Sequence, residues 1–471
     1  MKPEIARARA PERRARSVGS LLATALALVT YLPVRLLLQI WRQPALCFGL
    51  LMALFVGQLG TPGGELLAGV IAIMAVTLSF LALGVLQGGI RRILSAWRAC
   101  PAEIWLYVLV CALETVLALY RGGVPALLFA AGRWGFLVVL LTTCAICKDE
   151  DSGRRVLEGT AYGVGVIGLL TLIHGLGIVR MPFGLALMPP RTFGSIRMPF
   201  ARTIGIAMSP DKYALMAGLA VAALIGSFGS SRPMVRPGWM RVPLLLLALV
   251  GCVITQTRAV YIGVAFALCL AGFFWVMRKA ARPWFATLAG ACTVAAAFSL
   301  VLIVSNLLFL QVAPESIMDV GGARTVENVV VRSETNAVAW QIFQREPWLG
   351  IGHGRFEDLT FDIVGIHNHF LEQLVATGII GGVPYLLFHL LILVRALRAA
   401  GDSDLSRAAV SRALVTGVLV TYLEYQFFPG FFVSPFAIMC GLIVCLERDK
   451  PRRSAVDSAL SSLQTTRMRA C

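Results

Sequence analysis

Between Pro347 and Gly382 the chain reads PWLGIGHGRFEDLTFDIVGIHNHFLEQLVATGIIGG, a polar, glycine-punctuated stretch that becomes an apolar helix candidate at His367-Asn368-His369. Two imidazoles and an amide thus stand where water would meet a bilayer. A neutral imidazole in that position can accept a proton from a sugar hydroxyl near pH 7. His367, His369 and Glu372 are close enough in sequence to raise a zinc site, but positions i and i+2 do not share a helical face, so no metal is expected. His353, in GIGHGRF, reads as loop-borne between glycines, whereas His174 and His389 fall inside apolar runs and read as hydrogen-bonded core residues.

The other candidates are arginines. Arg191, Arg197 and Arg202 share one segment, Arg258 stands at the tight turn TQTRAVYIG, and Arg324, Arg332, Arg345 and Arg355 occupy the long stretch before His367. A guanidinium stays charged and presents forked donors that match phosphate oxygens, so several of them converging would bind a phosphorylated anion. Salt bridges to Glu327, Glu334, Glu346 and Asp358 are the competing use for those in the long stretch. Arg258 has almost no loop around it and is held at membrane depth, where an ionisable group is costly and usually functional. Arg133 lies within an apolar run at a depth comparable with Glu114 in the run before it, so an ion pair between them is the structural alternative to a functional role.

The scaffold that must position these groups is membranous. The 471 residues are 58% hydrophobic and 14% charged, with a mean hydropathy of +0.79. Apolar runs near the ~20 residues that a hydrocarbon core requires recur through the chain. The fold class expected is an all-α polytopic membrane protein with about twelve transmembrane helices. They are placed near 45–61, 65–88, 104–120, 124–147, 156–179, 211–229, 240–256, 258–277, 284–311, 369–397, 410–428 and 430–447. Domain organisation follows: a basic cytoplasmic N-terminus with an interfacial helix (1–44), helices (45–311), a long outer loop (312–366), helices again (367–447) and a cytoplasmic tail (448–471). The run 21–40 contains Pro33 and Arg35 and would break the parity of the spans, so it is read as interfacial, with a tilted thirteenth span as the alternative.

A net charge of +17 would suggest nucleic acid in a soluble protein. Here the basic residues gather in short loops on alternate turns, around Arg91/Arg92/Arg98, Lys148/Arg154/Arg155, Arg278/Lys279/Arg282 and Arg395/Arg398, which is the cytoplasmic signature of a membrane protein. That alternation places 181–210, the Arg258 turn and 312–366 on the outer side, so Arg202, Arg258 and His367 share one face. The eleven cysteines lie mostly in apolar runs and read as small buried hydrophobes; Cys144-x-x-Cys147 has no second pair to complete a metal or redox motif.

WQIFQREPWLGIGHG at 340–354, followed by His367-Asn368, nine residues, Gly378, two residues and Gly381, resembles the signature of the O-antigen ligase family, which is related to O-antigen polymerases and other polyprenyl-linked glycan transferases. RTIGIAMSPDKYALMAG around Arg202 and TQTRAVYIG around Arg258 resemble two further family segments. The resemblance is most specific over 332–385 and absent from the first forty residues. It implies a multi-span, GT-C-like glycosyltransferase of the bacterial inner membrane, with a partly helical periplasmic loop and a periplasmic active site. It further implies an inverting, metal-independent transfer of a glycan from undecaprenyl pyrophosphate to the lipid A core, without a cofactor. His367 matches the family's essential histidine, and Arg202 and Arg258 match its arginines. Arg191, Arg332, Asn368 and His369 follow as secondary substrate contacts. Ser209-Pro210-Asp211 departs from the Pro-Asn of relatives. The rival within the class is a polymerase, whose acceptor is another lipid-linked repeat. A secondary transporter would need an internal repeat and paired mid-membrane acids, neither of which is seen; a non-catalytic assembly subunit is the plainest remaining reading.

Overall fold

The structure is a computed structural model that describes residues 38–55, 65–122, 124–175, 210–226, 234–255, 263–270, 272–273, 323–353, 355–356, 366, 368–400, 405–424 and 435–449, with residue 178 and four short strands between 187 and 203. The helices are α1 (Pro44–Phe55), α2 (Glu65–Leu86), α3 (Gly89–Ala99), α4 (Pro101–Leu117), α5 (Val124–Ile146), α6 (Glu150–Gly175), α7 (Pro210–Gly226), α8 (Arg241–Thr255), α9 (Ala323–Arg345), α10 (His369–Ala400), α11 (Leu405–Glu424) and α12 (435–449). α4 starts with proline in its first turn, where the missing N–H costs nothing, and a wider turn at Ala118–Gly122 follows its C-terminus. Among the described residues, three segments are long and apolar enough, by length and composition, to cross a membrane: Pro101–Tyr120, Phe129–Ile146 and His369–Ala400. A fourth appears if the bent pair α2–α3 counts as one, and shorter apolar helices account for Pro44–Leu54, Met216–Ile225, Gly238–Cys252 and Val410–Tyr422. The expected span at 284–311 and most of the interfacial run at 21–40 lie outside the described residues.

The core explains the order of packing. α1 lies against α6 at very close range: a Cβ on Gly49 would come 2.0 Å from the Val156 carbonyl oxygen, and one on Gly159 2.0 Å from that of Leu46. Small residues are what allow helix backbones to approach in a medium that offers no hydrophobic drive between helices. Between α4, α5, α10 and α12 the interior is aromatic. Tyr107 stacks on Phe136 at 4.5 Å and tilts against Phe388 at 4.6 Å, while Phe136 and Phe436 meet at 5.9 Å. At one end of this layer Arg395 of α10 is bonded to Glu103 of α4 and lies 3.6 Å from Glu447 of α12. That anchor fixes α4 and α10 as antiparallel neighbours.

Three features depart from the expected layout. Residues 89–99 were expected as a basic loop and are instead the helix α3, set at 99° to the end of α2. Short strands add to the all-α expectation in the segment 181–210: Leu187–Met188 pairs antiparallel with Arg202–Thr203, and Thr192–Phe193 with Ile196–Arg197. Finally, 369–397 was expected to run straight through the membrane, but α10 breaks at Gly378, whose φ of 62° and ψ of −162° no other residue type holds comfortably. His369 and Tyr385 would lie about 24 Å apart on an unbroken helix. Their side chains are 2.6 Å apart, so the chain folds back at Gly378 into a short arm (369–377) and a long arm (379–400).

Candidate functional site

The fold-back leaves the last carbonyls of the short arm and the first N–H groups of the long one without helical partners. Buried in a membrane protein, such groups must be satisfied by protein. The segment 347–352 does this. Ile351 and Gly352 donate to the carbonyls of Val375 and Ala376, both at 2.9 Å, while Ile379 and Ile380 donate to those of Pro347 and Trp348 at 2.7 and 3.2 Å. The glycines of the two motifs meet here: a Cβ on Gly350 would lie 2.4 Å from the Val375 oxygen, and one on Gly378 2.3 Å from the Trp348 oxygen. The segment 347–352 is therefore a backbone strap across a broken helix. Gly378→Ala should add a left-handed strain to a clash with backbone that cannot move aside, a cost on the order of 3 kcal/mol. The expected outcome is a clear fall in the thermal unfolding midpoint of the detergent-purified protein, with loss of transfer in parallel.

Behind the strap lies a buried polar network that joins four chain segments. Arg133 of α5 donates through Nε to both carboxylate oxygens of Glu114 in α4, at 3.1 and 3.2 Å. Its Nη2 donates to Gln373 Oε1 at 2.6 Å and its Nη1 to the Tyr385 hydroxyl at 3.1 Å. Gln373 closes the ring by donating to Glu114 Oε1 at 2.7 Å. The guanidinium also lies over the Tyr385 ring, 4.6 Å from its centre. His353, carried in by the strap, brings Nε2 to 3.6 Å from Glu114 Oε2 and stacks on Phe129 at 4.6 Å. Glu114 is 1% exposed and Arg133 8%. Their ion pair, one of the two readings open for Arg133, is thus present, and its satisfied hydrogen bonds are what make burial of two charges tolerable.

The junction residues divide. Asn368 caps the short arm, its Oδ1 accepting from the Leu371 N–H at 3.0 Å, so its amide is used for helix initiation. His369 is buried, with Nε2 at 2.6 Å from the Tyr385 hydroxyl and Nδ1 at 3.4 Å from Glu372. It belongs to the network rather than to a wet entrance. His353 is loop-borne as expected, in a turn at the end of the strap, but it is buried. His389 is a core residue as expected, 3.3 Å from the Tyr422 hydroxyl.

The remaining candidates are placed less fully. Arg202 has its backbone in a strand opposite Met188, and Arg332 has its backbone in α9. His367, Arg191 and Arg258 lie outside the described residues. α9 itself packs on the short arm in a cluster of Ala339, Ile351, Phe356, Ile366 and Val375, so the described parts of the stretch before His367 are built onto the helix that follows it. Gln373 was missed by sequence reasoning. Its signal was available, because His369, Gln373 and Thr377 recur at a four-residue spacing, on one helical face.

A helical body with long apolar spans, a helix broken within an apolar segment and a charged network sealed behind the break defines a polytopic membrane protein with an internal polar centre. Residues 243–386 match the family model for O-antigen ligase, and over that segment the chain is similar to the O-antigen ligase family. The match takes in the strap, both arms around Gly378 and Tyr385, but neither Glu114 nor Arg133. No curated protein matches the chain.

Proposed function

We propose that the chain is a membrane glycosyltransferase that moves a glycan from undecaprenyl pyrophosphate to the lipid A core oligosaccharide at the outer face of the inner membrane. The donor's lipid tail lies between helices, and its pyrophosphate meets Arg202 and Arg258, with Arg191 and Arg332 as further anion contacts. Those guanidiniums stabilise charge developing on the leaving group. His367 accepts the proton of the acceptor hydroxyl as that oxygen attacks the anomeric carbon and inverts it. No metal or cofactor enters the step.

One observation carries the reading: the family-matched segment is the one that builds the strap and the fold-back, and the His367-Asn368-His369 junction lies within it in sequence. His369 has both ring nitrogens near side-chain partners, which leaves His367 as the junction imidazole for proton transfer. A polymerase would use the same centre with a lipid-linked acceptor. The HN-x9-G-x2-G spacing and one dominant outer segment favour the ligase.

Arg258→Lys is the test of the pyrophosphate contact. A compact ammonium keeps the charge but cannot reproduce a guanidinium fork, and a bidentate contact that strengthens in the transition state is worth on the order of 10²-fold in rate. Glycan transfer in cells should fall by about that factor at equal membrane expression. Near-normal transfer would reduce Arg258 to a topology or headgroup residue.

A further inference from the structure

α3 supplies none of the residues of the proposed site. Its sequence, GIRRILSAWRA, alternates apolar and basic residues at helical spacing. Ile90, Leu94 and Trp97 fall on one stripe, with Ile90 54% and Leu94 52% exposed. The opposite use of the helix is structural: Gly89 and Ala96 are buried, and the Arg92 guanidinium is turned inward. Arg92 donates to the carbonyls of Ala145, Gln87 and Gly84 at 2.7, 3.1 and 3.3 Å, which satisfies the chain where α2 ends. The two remaining arginines are different. Arg91 and Arg98 are exposed, and among the described residues neither has a carboxylate partner. Seven positions apart, they lie about 20° from one another around the helix and about 10 Å apart along it, on the flank of the apolar stripe.

Three observations orient this helix. It turns by 99° from the end of α2, an apolar helix, so it runs across the direction of that helix. Gly88, at φ 80°, makes the turn. Trp97 meets Trp105 edge to face at 5.0 Å, and Trp105 is 58% exposed, an aromatic pair of the kind that settles at headgroup level. An apolar stripe that faces out, with cations on its flank and tryptophans beside it, fits the boundary between acyl chains and headgroups.

We propose that α3 is an interfacial helix that binds anionic phospholipid, with Ile90, Leu94 and Trp97 in the acyl boundary and Arg91 and Arg98 on headgroup phosphate. The occupant is the lipid of the chain's own bilayer, selected for negative charge. Phosphatidylglycerol supplies that charge; phosphatidylcholine does not. The helix also explains why this stretch tolerates exposed apolar groups beside charges.

The test uses the full-length protein in two measurements. Native mass spectrometry should find phosphatidylglycerol retained over phosphatidylcholine by the wild type and by R91K/R98K. Retention by R91Q/R98Q should fall on the order of tenfold, since each basic residue near an anionic surface is a separate attraction. In nanodiscs, a bimane on L94C should be quenched most by lipids brominated close to the headgroup, after subtraction of the unsubstituted protein's signal. Equal lipid retention by R91Q/R98Q would overturn the headgroup contact. Strongest quenching by deeply brominated lipids would make α2–α3 a broken span, and quenching by aqueous iodide alone would take α3 out of the membrane; either result overturns the proposal.

Discussion

Glu114→Ala is expected to lower the unfolding midpoint sharply and to cut the yield of folded protein, with transfer lost in proportion. The substitution strips the carboxylate from a buried guanidinium and from the Gln373 amide that donates to it, and removes the group that faces His353. Breaking a buried pair by deleting one partner costs about 3–5 kcal/mol, because the other charge is left uncompensated. Set against a total stability of roughly 5–15 kcal/mol, that loss is close to decisive. Adding Arg133→Met to the same chain removes the orphaned charge, although Gln373 and Tyr385 then lose their donor. The double variant should therefore be less destabilised than the sum of the two singles by about 1–3 kcal/mol. Thermal unfolding of detergent-purified protein measures this directly, and a wild-type midpoint for Glu114→Ala would show that the network holds nothing together.

His367→Ala is expected to do the opposite, leaving the fold intact and removing the chemistry. A general base contributes about 10²–10⁴-fold, so transfer in cells should drop below detection while the protein reaches the membrane in normal amounts. His369→Ala provides the contrast. Its imidazole is tied to Tyr385 and Glu372 inside the network, so its loss should lower the unfolding midpoint and reduce yield, with measurable transfer from what folds. An active His367 variant beside a stable but inactive His369 variant would move the base by two residues and reverse the assignment.

Much of the scaffold was legible in the sequence because the membrane imposes few solutions. An apolar run must be a helix, so Pro101–Tyr120 and Phe129–Ile146 follow from hydropathy alone, and the matching depths of Glu114 and Arg133 follow from the cost of leaving either charge alone. The fold-back at Gly378 was not legible. Hydropathy continues unbroken from Leu374 through Ile380, and nothing local says that the strap 347–352 will take up the free backbone groups; the glycine spacing marks the place without giving the geometry. The loop position of His353 was legible from its flanking glycines but its burial was not, since only the docked strap carries the ring to Phe129 and Glu114. α3 is a different failure. Arg91, Arg92 and Arg98 were counted as loop charges although Ile90, Ile93, Leu94 and Trp97 already had helical spacing, and one of the three arginines is used internally.

The account depends most on what the protein transfers, and the surface lipopolysaccharide of a strain lacking it answers that question. Loss of all long glycan from lipid A, with lipid-linked polymer accumulating and both defects reversed by the wild-type chain but not by His367→Ala, is the predicted result. Single capped repeats on lipid A would identify a polymerase instead. Unchanged lipopolysaccharide and no change in any lipid-linked glycan would contradict the account.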